Sequence, residues 1–321
     1  MRVEDVKQIA VVGAGTMGRG IAQVCASAGY DTWLNDVDGK ALSSAFERVK
    51  VNLAMLVENG IITLEEAEAV SMRMNRTVSL EEASTNADFV IEAAPEVMET
   101  KKQLFRKLDR ICSERAILAS NTSSLSITGL GSATKRPEKV VGMHWWNPAN
   151  LIPLVEVLRG VRTSDETVEV TRALVLKLKK VPALCRESPG YLGVRLQAAL
   201  VTEAMKILAE GLADAEDIDA AVRNSFGLRL PIMGPLQIVD LGGLDIFLQA
   251  YDHLYKLTGD SKYQTPGLLR QKVKEGKLGV KTGEGFYKYT EDSSRASMSR
   301  RDNWLLKHLK EMSGAWNREG L

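Results

Sequence analysis

Between residues 9 and 36 the chain reads Ile9-Ala10-Val11-Val12, then Gly13-Ala14-Gly15-Thr16-Met17-Gly18, then a helical pattern ending near Gly29, then Thr32-Trp33-Leu34-Asn35 closing on Asp36. An apolar run, a tight glycine turn, a helix and a second strand describe a βαβ unit with parallel strands. Gly13 permits the turn, Gly15 lets a pyrophosphate approach the backbone, and Gly18 lets the helix pack closely on its strand. Free N–H groups and the helix dipole favour negative charge at the helix N-terminus, which makes Gly13, Gly15, Thr16, Met17 and Gly18 candidate cofactor-binding residues. Asp36 falls where an acid would accept hydrogen bonds from a ribose. Its carboxylate would repel a 2′-phosphate, and Asp38 beyond it is acidic too, so the pattern favours NAD over NADP. A glycine-rich turn with a solvated acid after it is the alternative, and the flanking strands argue against that.

Strand-like and helical stretches go on alternating to about residue 187, which predicts an α/β fold with a Rossmann-type, doubly wound parallel sheet. Thr63-Leu64-Glu65-Glu66 has the form of a capping box and predicts a helix start. Phe89-Val90-Ile91 predicts a buried strand ending in Glu92, followed by a helix carrying Glu96 and Lys101. Ala116-Ile117-Leu118-Ala119 predicts another, running into Ser120-Asn121-Thr122-Ser123-Ser124. Polar side chains just past a strand's carboxyl end are where open α/β sheets bind ligands. After Ser188-Pro189-Gly190 the strand signal stops, and helices are predicted over about 191–210, 215–224, 234–241, 244–257 and 266–275. The chain therefore divides into a nucleotide-binding domain, residues 1–187, and an all-α C-terminal domain, residues 188–321. In an extra terminal helix Leu305, Leu309, Met312 and Trp316 form one apolar stripe, suited to core packing or to a second subunit.

Composition narrows the class without choosing a reaction. At 321 residues and 45% apolar, the chain can bury a large core in two domains. A net charge of +1 implies no nucleic acid or other polyanion as partner. No apolar run is long enough to span a bilayer, and the first residues lack a signal-peptide pattern. Cys25, Cys112 and Cys185 lack metal-ligand spacing and read as free thiols of a reducing compartment. A cytoplasmic protein with no metal site is the expectation.

Val140-Val141-Gly142-Met143 brings His144, one of three histidines, to the sheet edge where the Ser120 to Ser124 run also arrives. Downstream, Leu154-Val155-Glu156-Val157 puts a carboxylate in an apolar setting, where it is costly unless paired. Two readings stand. His144 is a general base oriented by Glu156, or it is a satisfied core histidine near an unrelated glutamate.

These residues resemble the 3-hydroxyacyl-CoA dehydrogenase family over about residues 5–290. The shared motifs are Gly13-Ala14-Gly15-Thr16-Met17-Gly18, Glu92-Ala93, Ser120-Asn121-Thr122-Ser123-Ser124-Leu125, His144 with Asn147-Pro148, Leu154-Val155-Glu156-Val157, Pro189-Gly190-Tyr191, and Lys281-Thr282-Gly283-Glu284-Gly285-Phe286-Tyr287. The resemblance implies an NAD-dependent oxidoreductase, with a Rossmann-type domain followed by a helical domain that pairs into a homodimer. It implies that His144 is the general base, Glu156 its orienting partner and Ser123 a hydrogen-bond donor at the substrate oxygen, with Asn147 also among the substrate residues. It further implies that Glu96, Lys101, Ser123 and Lys281 lie where the family contacts NAD. Lone surface salt bridges would account for Glu96 and Lys101 equally well.

Departures from the family pattern bear on the substrate. Where the family has an Asn after its Pro-Gly-Phe motif, this chain reads Pro189-Gly190-Tyr191-Leu192-Gly193-Val194, and a valine cannot hydrogen-bond a substrate carbonyl. Asn52 and Asn59 stand where CoA-using members carry a Ser and a Lys, so the charge for a CoA phosphate is missing. The segment from Phe226 to Pro235 resembles relatives acting on free acids, L-gulonate 3-dehydrogenase and L-carnitine dehydrogenase. Arg229 within it could hold a carboxylate through paired donors, or be a solvated loop charge. Trp145-Trp146 resemble a pyridine-ring hydroxy-acid dehydrogenase branch, although tryptophans more often pack in cores. These departures favour a small free hydroxy acid as substrate, with a hydroxyacyl-CoA as the alternative. An NAD-binding structural protein is a third reading, opposed by the joint presence of Ser123, His144 and Glu156.

Overall fold

The structure, a computed structural model, describes residues 1–312. Its first part alternates strands and helices: β1 (Gln8–Val12), α1 (Thr16–Ser27), β2 (Asp31–Asn35), α2 (Gly39–Glu58), α3 (Leu64–Arg73), β3 (Met74–Thr77), α4 (Leu80–Ser84), β4 (Phe89–Glu92), α5 (Met98–Ile111), β5 (Ile117–Ser120), α6 (Ile127–Gly131), β6 (Val140–Trp145), β7 (Leu154–Arg159), α7 (Asp165–Lys177) and β8 (Val181–Arg186). Helices follow: α8 (Gly193–Ala209), α9 (Ala215–Arg223), α10 (Pro235–Gly242), α11 (Leu244–Thr258), α12 (Gly267–Lys274) and α13 (Glu291–Met312). The compact units are Met1–Val201 and Thr202–Leu321.

Local chemistry sets the ends of these elements. Asp38 caps α2 by accepting the Lys40 N–H, and Thr63 and Glu66 close the expected capping box at α3. Along β1 the side chains alternate between two buried layers, as the two-residue period of a strand requires. Ile9 and Val11 pack with Ile21 and Cys25 of α1, while Ala10 and Val12 pack with Phe105 and Leu108 of α5.

The eight strands form one sheet in the order β3-β2-β1-β4-β5-β6-β7-β8. Every adjacent pair is parallel except β6 with β7. The doubly wound sheet is thus as expected, with this one antiparallel joint added. The link between Trp145 and Leu154 is too short for a parallel crossover, which takes a dozen or more residues, so β7 turns back beside β6. The weakly patterned strands β3 and β8 are the two sheet edges, where no double burial imposes an apolar run.

In the second unit Asp240 of α10 is buried and accepts the Phe286 and Tyr287 N–H groups and the Tyr289 hydroxyl. This ties the glycine-rich turn after Lys281 to a helix. On α13 the less exposed face carries Arg301, Trp304, Leu305 and His308, while Leu309 is exposed. The expected stripe is therefore rotated, because Trp304 docks by donating to Leu228 O at 3.1 Å. Trp316 and the side chain of Met312 lie outside the described residues. Among the described residues no helix is long and apolar enough to cross a membrane, and no cluster of three His, Cys, Asp or Glu is placed to hold a metal ion.

Candidate active site

The glycine turn is built as its sequence requires. Gly13 has φ +110°, and a Cβ there would lie 2.5 Å from Ala93 O. A Cβ on Gly18 would run into Gly13 O, so Gly18 seats α1 against the turn rather than against the strand itself. Gly15 caps α1 without a side-chain bond, and a Cβ built on it meets nothing within 4 Å. The α1 N-terminus at Thr16 and Met17 thus opens onto free space, which fits a pyrophosphate. Asp36, just past β2, accepts the Ala14 N–H at 2.7 Å and the Asp38 N–H at 3.0 Å. Its carboxylate is fixed at the edge of the turn, where a ribose would lie.

Beside the turn, at the end of β4, Glu92 is fully buried and accepts from Ala94 N, Lys101 Nζ and Ser120 Oγ. Lys101 is 1% exposed, which corrects the surface-pair reading: its ammonium is shared between Glu92 and Ala94 O, with Glu96 at 3.4 Å. Glu96 precedes α5 rather than lying on it. One of its oxygens gathers the Thr122 hydroxyl and the Ser123 and Ser124 N–H groups. Burial pushes the Glu96 carboxyl up, but these donors and Lys101 outweigh it and hold the group below the usual range.

His144 and Glu156 face each other directly across the antiparallel β6–β7 pair. Residues opposite one another in such a ladder share a face, so strand register brings imidazole and carboxylate together. His144 Nδ1 lies 2.7 Å from Glu156 Oε2. Glu156, 0% exposed, takes three further donors: Trp146 Nε1 at 3.3 Å and the Leu192 and Gly193 N–H groups at 3.0 Å each. Burial raises the Glu156 carboxyl, while the His144 bond and the Gly193 and Leu192 N–H groups overcome that and leave it lowered. Tyr191, at φ +47°, turns the chain so that these two N–H groups point together, and its hydroxyl donates to Leu125 O at 2.7 Å.

The other expected residues fall in varied places. Ser123 is exposed, and its hydroxyl makes no hydrogen bond among the described residues. Asn147 is exposed at the cis peptide before Pro148. Val194 lies half-buried in the first turn of α8. Arg229 ends a short 3-10 turn from Gly227 and has no ion-pair partner among the described residues. Lys281 is bound to both oxygens of Asp245. Asn52 donates to Gln23 Oε1 and Asn59 to Met55 O, so neither supplies a charge.

Trp145 is core, 2% exposed, and Trp146 lies beside His144. Sequence reasoning passed over Asn121, whose Oδ1 holds the Trp145 N–H at 2.8 Å and so ties the polar run after β5 to the strand carrying His144. Its place inside that run was the available signal.

A glycine-rich nucleotide turn and a buried imidazole–carboxylate pair on one sheet fit an NAD-dependent oxidoreductase. Residues 8–188 match the 3-hydroxyacyl-CoA dehydrogenase NAD binding domain, and residues 190–289 match the C-terminal domain of the same enzymes. The chain belongs to the 3-hydroxyacyl-CoA dehydrogenase family; it acts on CH–OH groups and uses NAD. It is 43% identical to a probable 3-hydroxybutyryl-CoA dehydrogenase of Bacillus subtilis over 90% of this chain and 100% of that one. It is 32% identical to a 5-formyl-3-hydroxy-2-methylpyridine 4-carboxylate 5-dehydrogenase of Mesorhizobium japonicum, over 96% and 99%. A crystal structure of a 3-hydroxyacyl-CoA dehydrogenase from Archaeoglobus fulgidus aligns with a TM-score of 0.80 at 33% identity, covering 95% of this chain and 99% of that one.

Proposed function

We propose that this enzyme oxidises the hydroxyl-bearing carbon of a small free 3-hydroxy or aryl-hydroxy acid, with His144 as general base and Glu156 as its orienting partner. The observation that carries the base is the 2.7 Å contact between His144 Nδ1 and Glu156 Oε2. A carboxylate only accepts, so Nδ1 bears the proton and the Nε2 lone pair takes the substrate's hydroxyl proton. Glu156 then stabilises the imidazolium. NAD, when bound, supplies the hydride acceptor. Ser123, with an uncommitted hydroxyl, donates to the substrate oxygen, and Asn147 stands with it. Glu96 is prepared for the cofactor by Lys101, which acts through it, and Lys281 is a further cofactor residue.

Val194 supports the acid over the thioester, because it offers no donor to a thioester carbonyl. Arg229, unpaired among the described residues, supplies the charge a carboxylate needs. The pyridine carboxylate relative also matches this chain almost end to end. The second reading is a 3-hydroxyacyl-CoA substrate, favoured by the relatives named 3-hydroxybutyryl-CoA dehydrogenase. Steady-state rates with 3-hydroxybutyryl-CoA and with a panel of free hydroxy acids separate the two; saturation by the thioester alone removes the acid reading. For the base, His144→Gln is expected to slow single-turnover hydride transfer by roughly 10²–10⁴-fold with NADH binding retained, and an unchanged rate rejects it. Exposed Leu196, Leu200 and Met205 on α8 support a homodimer, checked by sedimentation at micromolar protein.

A further inference from the structure

Trp146 does more than fill space beside the base. Its Nε1–H lies 3.3 Å from Glu156 Oε2, the same oxygen that His144 Nδ1 approaches at 2.7 Å. Its ring centroid is 5.7 Å from that of His144, tilted by 56°. The room for this ring comes from Gly193. A Cβ built on Gly193 would overlap the indole at Cζ2 and lie 3.1 Å from Cε2, yet the N–H of the same glycine donates to the other Glu156 oxygen at 3.0 Å. A side chain at position 193 would therefore displace the indole and disturb both bonds to the carboxylate.

We infer that Trp146 and Gly193 act as a coupled positioning pair for the His144–Glu156 couple, with the indole N–H holding the carboxylate oxygen that orients the base. The inference rests on His144 being the base. An oxygen shared between imidazole and indole is less basic than one serving the imidazole alone. It therefore attracts the imidazole N–H less strongly than an oxygen with no second donor would. The other titratable groups packed against the couple do not supply this effect. Burial raises both the Tyr191 phenol and the Cys185 thiol, leaving them uncharged. The Glu96 carboxylate is turned to Thr122, Ser123 and Ser124.

The test uses Trp146→Phe, which keeps an aromatic ring and removes the donor, Gly193→Ala, which pushes the ring away, and the double variant. The readouts are kcat for alcohol oxidation against pH, NADH affinity by fluorescence, and thermal midpoint. Trp146→Phe is expected to lower kcat about 5–10-fold and move the acid limb of the profile to higher pH, with NADH affinity retained. Gly193→Ala should do the same, and the double variant should be no slower than the slower single, since Gly193→Ala already disturbs the indole bond that Trp146→Phe removes. A wild-type rate and acid limb in Trp146→Phe, or additive losses in the double variant, overturns the inference. Should Gly193→Ala not fold, Trp146→Phe decides alone. His144→Gln in the same series keeps the two claims apart. A normal rate there removes the base itself, whereas a slow His144→Gln beside a normal Trp146→Phe removes only the coupling.

Discussion

The Lys101 ammonium lies 2.6 Å from Glu92 Oε1, and both side chains are closed off from solvent at 1% and 0% exposure. Removing one member of such a pair strands the other charge without water. Lys101→Met is therefore expected to destabilise the fold by about 3–5 kcal/mol, and adding Glu92→Gln should restore much of the loss. Urea unfolding of both single variants and the double variant checks this. A Lys101→Met protein as stable as wild type would show the pair to be solvated.

Acid stability follows from Glu156. Its folded pKa is lowered from the ordinary 4.5, so its contribution is fully present above that value and is lost as pH falls through the lower folded one. Glu96 is shifted the same way and adds to the same window. Stability of the wild type should decline as pH drops below about 4.5, and Glu156→Gln, though less stable at neutral pH, should show a shallower decline. Urea midpoints between neutral and acid pH measure it; parallel slopes for the two proteins would contradict it.

Lys179 is exposed in the left-handed region at φ +57°, a conformation that costs a side-chain-bearing residue roughly 1–2 kcal/mol. Lys179→Gly relieves that without removing a side-chain hydrogen bond or ion pair among the described residues and should stabilise the protein by about 0.5–1 kcal/mol after the added freedom of the unfolded chain. Calorimetry reads this as a small rise in thermal midpoint. The opposite holds at Tyr191, also left-handed but buried and hydrogen-bonded, where glycine should be destabilising.

The 3-10 turn bearing Arg229 is held from α13 by the Trp304 bond to Leu228 O. Trp304→Phe should loosen that turn and raise KM for a free hydroxy acid by about fivefold, the worth of one hydrogen bond, with NADH affinity retained. An unchanged KM would mean that the turn holds its shape without the helix or that Arg229 has no part in binding.

The parts of this protein legible in its sequence are those that carry chemistry in side chains at fixed spacing. Gly13, Gly15 and Gly18 between two strands announced the turn, while His144 and Glu156 left two readings open until the family resemblance paired them. What stayed hidden was set by backbone or by distance along the chain. The Leu192 and Gly193 N–H groups on Glu156 have no residue signature, since any non-proline residue carries such a donor. Lys101 looked like a surface cation because a lysine on a helix usually is one; its burial depends on Glu92, nine residues away on a different element. The Trp145-Trp146 pair could not be divided into core and site without knowing that β6 ends between them. The reversal of β7 was available from the shortness of the link before it, a signal outweighed by the βα alternation on either side.

Since His144 and Glu156 are paired across one ladder near the β8 edge of an eight-stranded sheet, the His144 backbone is held in place. Its amide should exchange with solvent only as slowly as the whole sheet opens. With His144 as the proposed base, the chemistry would run on a stationary reference point, and the adjustments that bring carbinol and imidazole into line would fall to the bound molecule or to the loops that receive it.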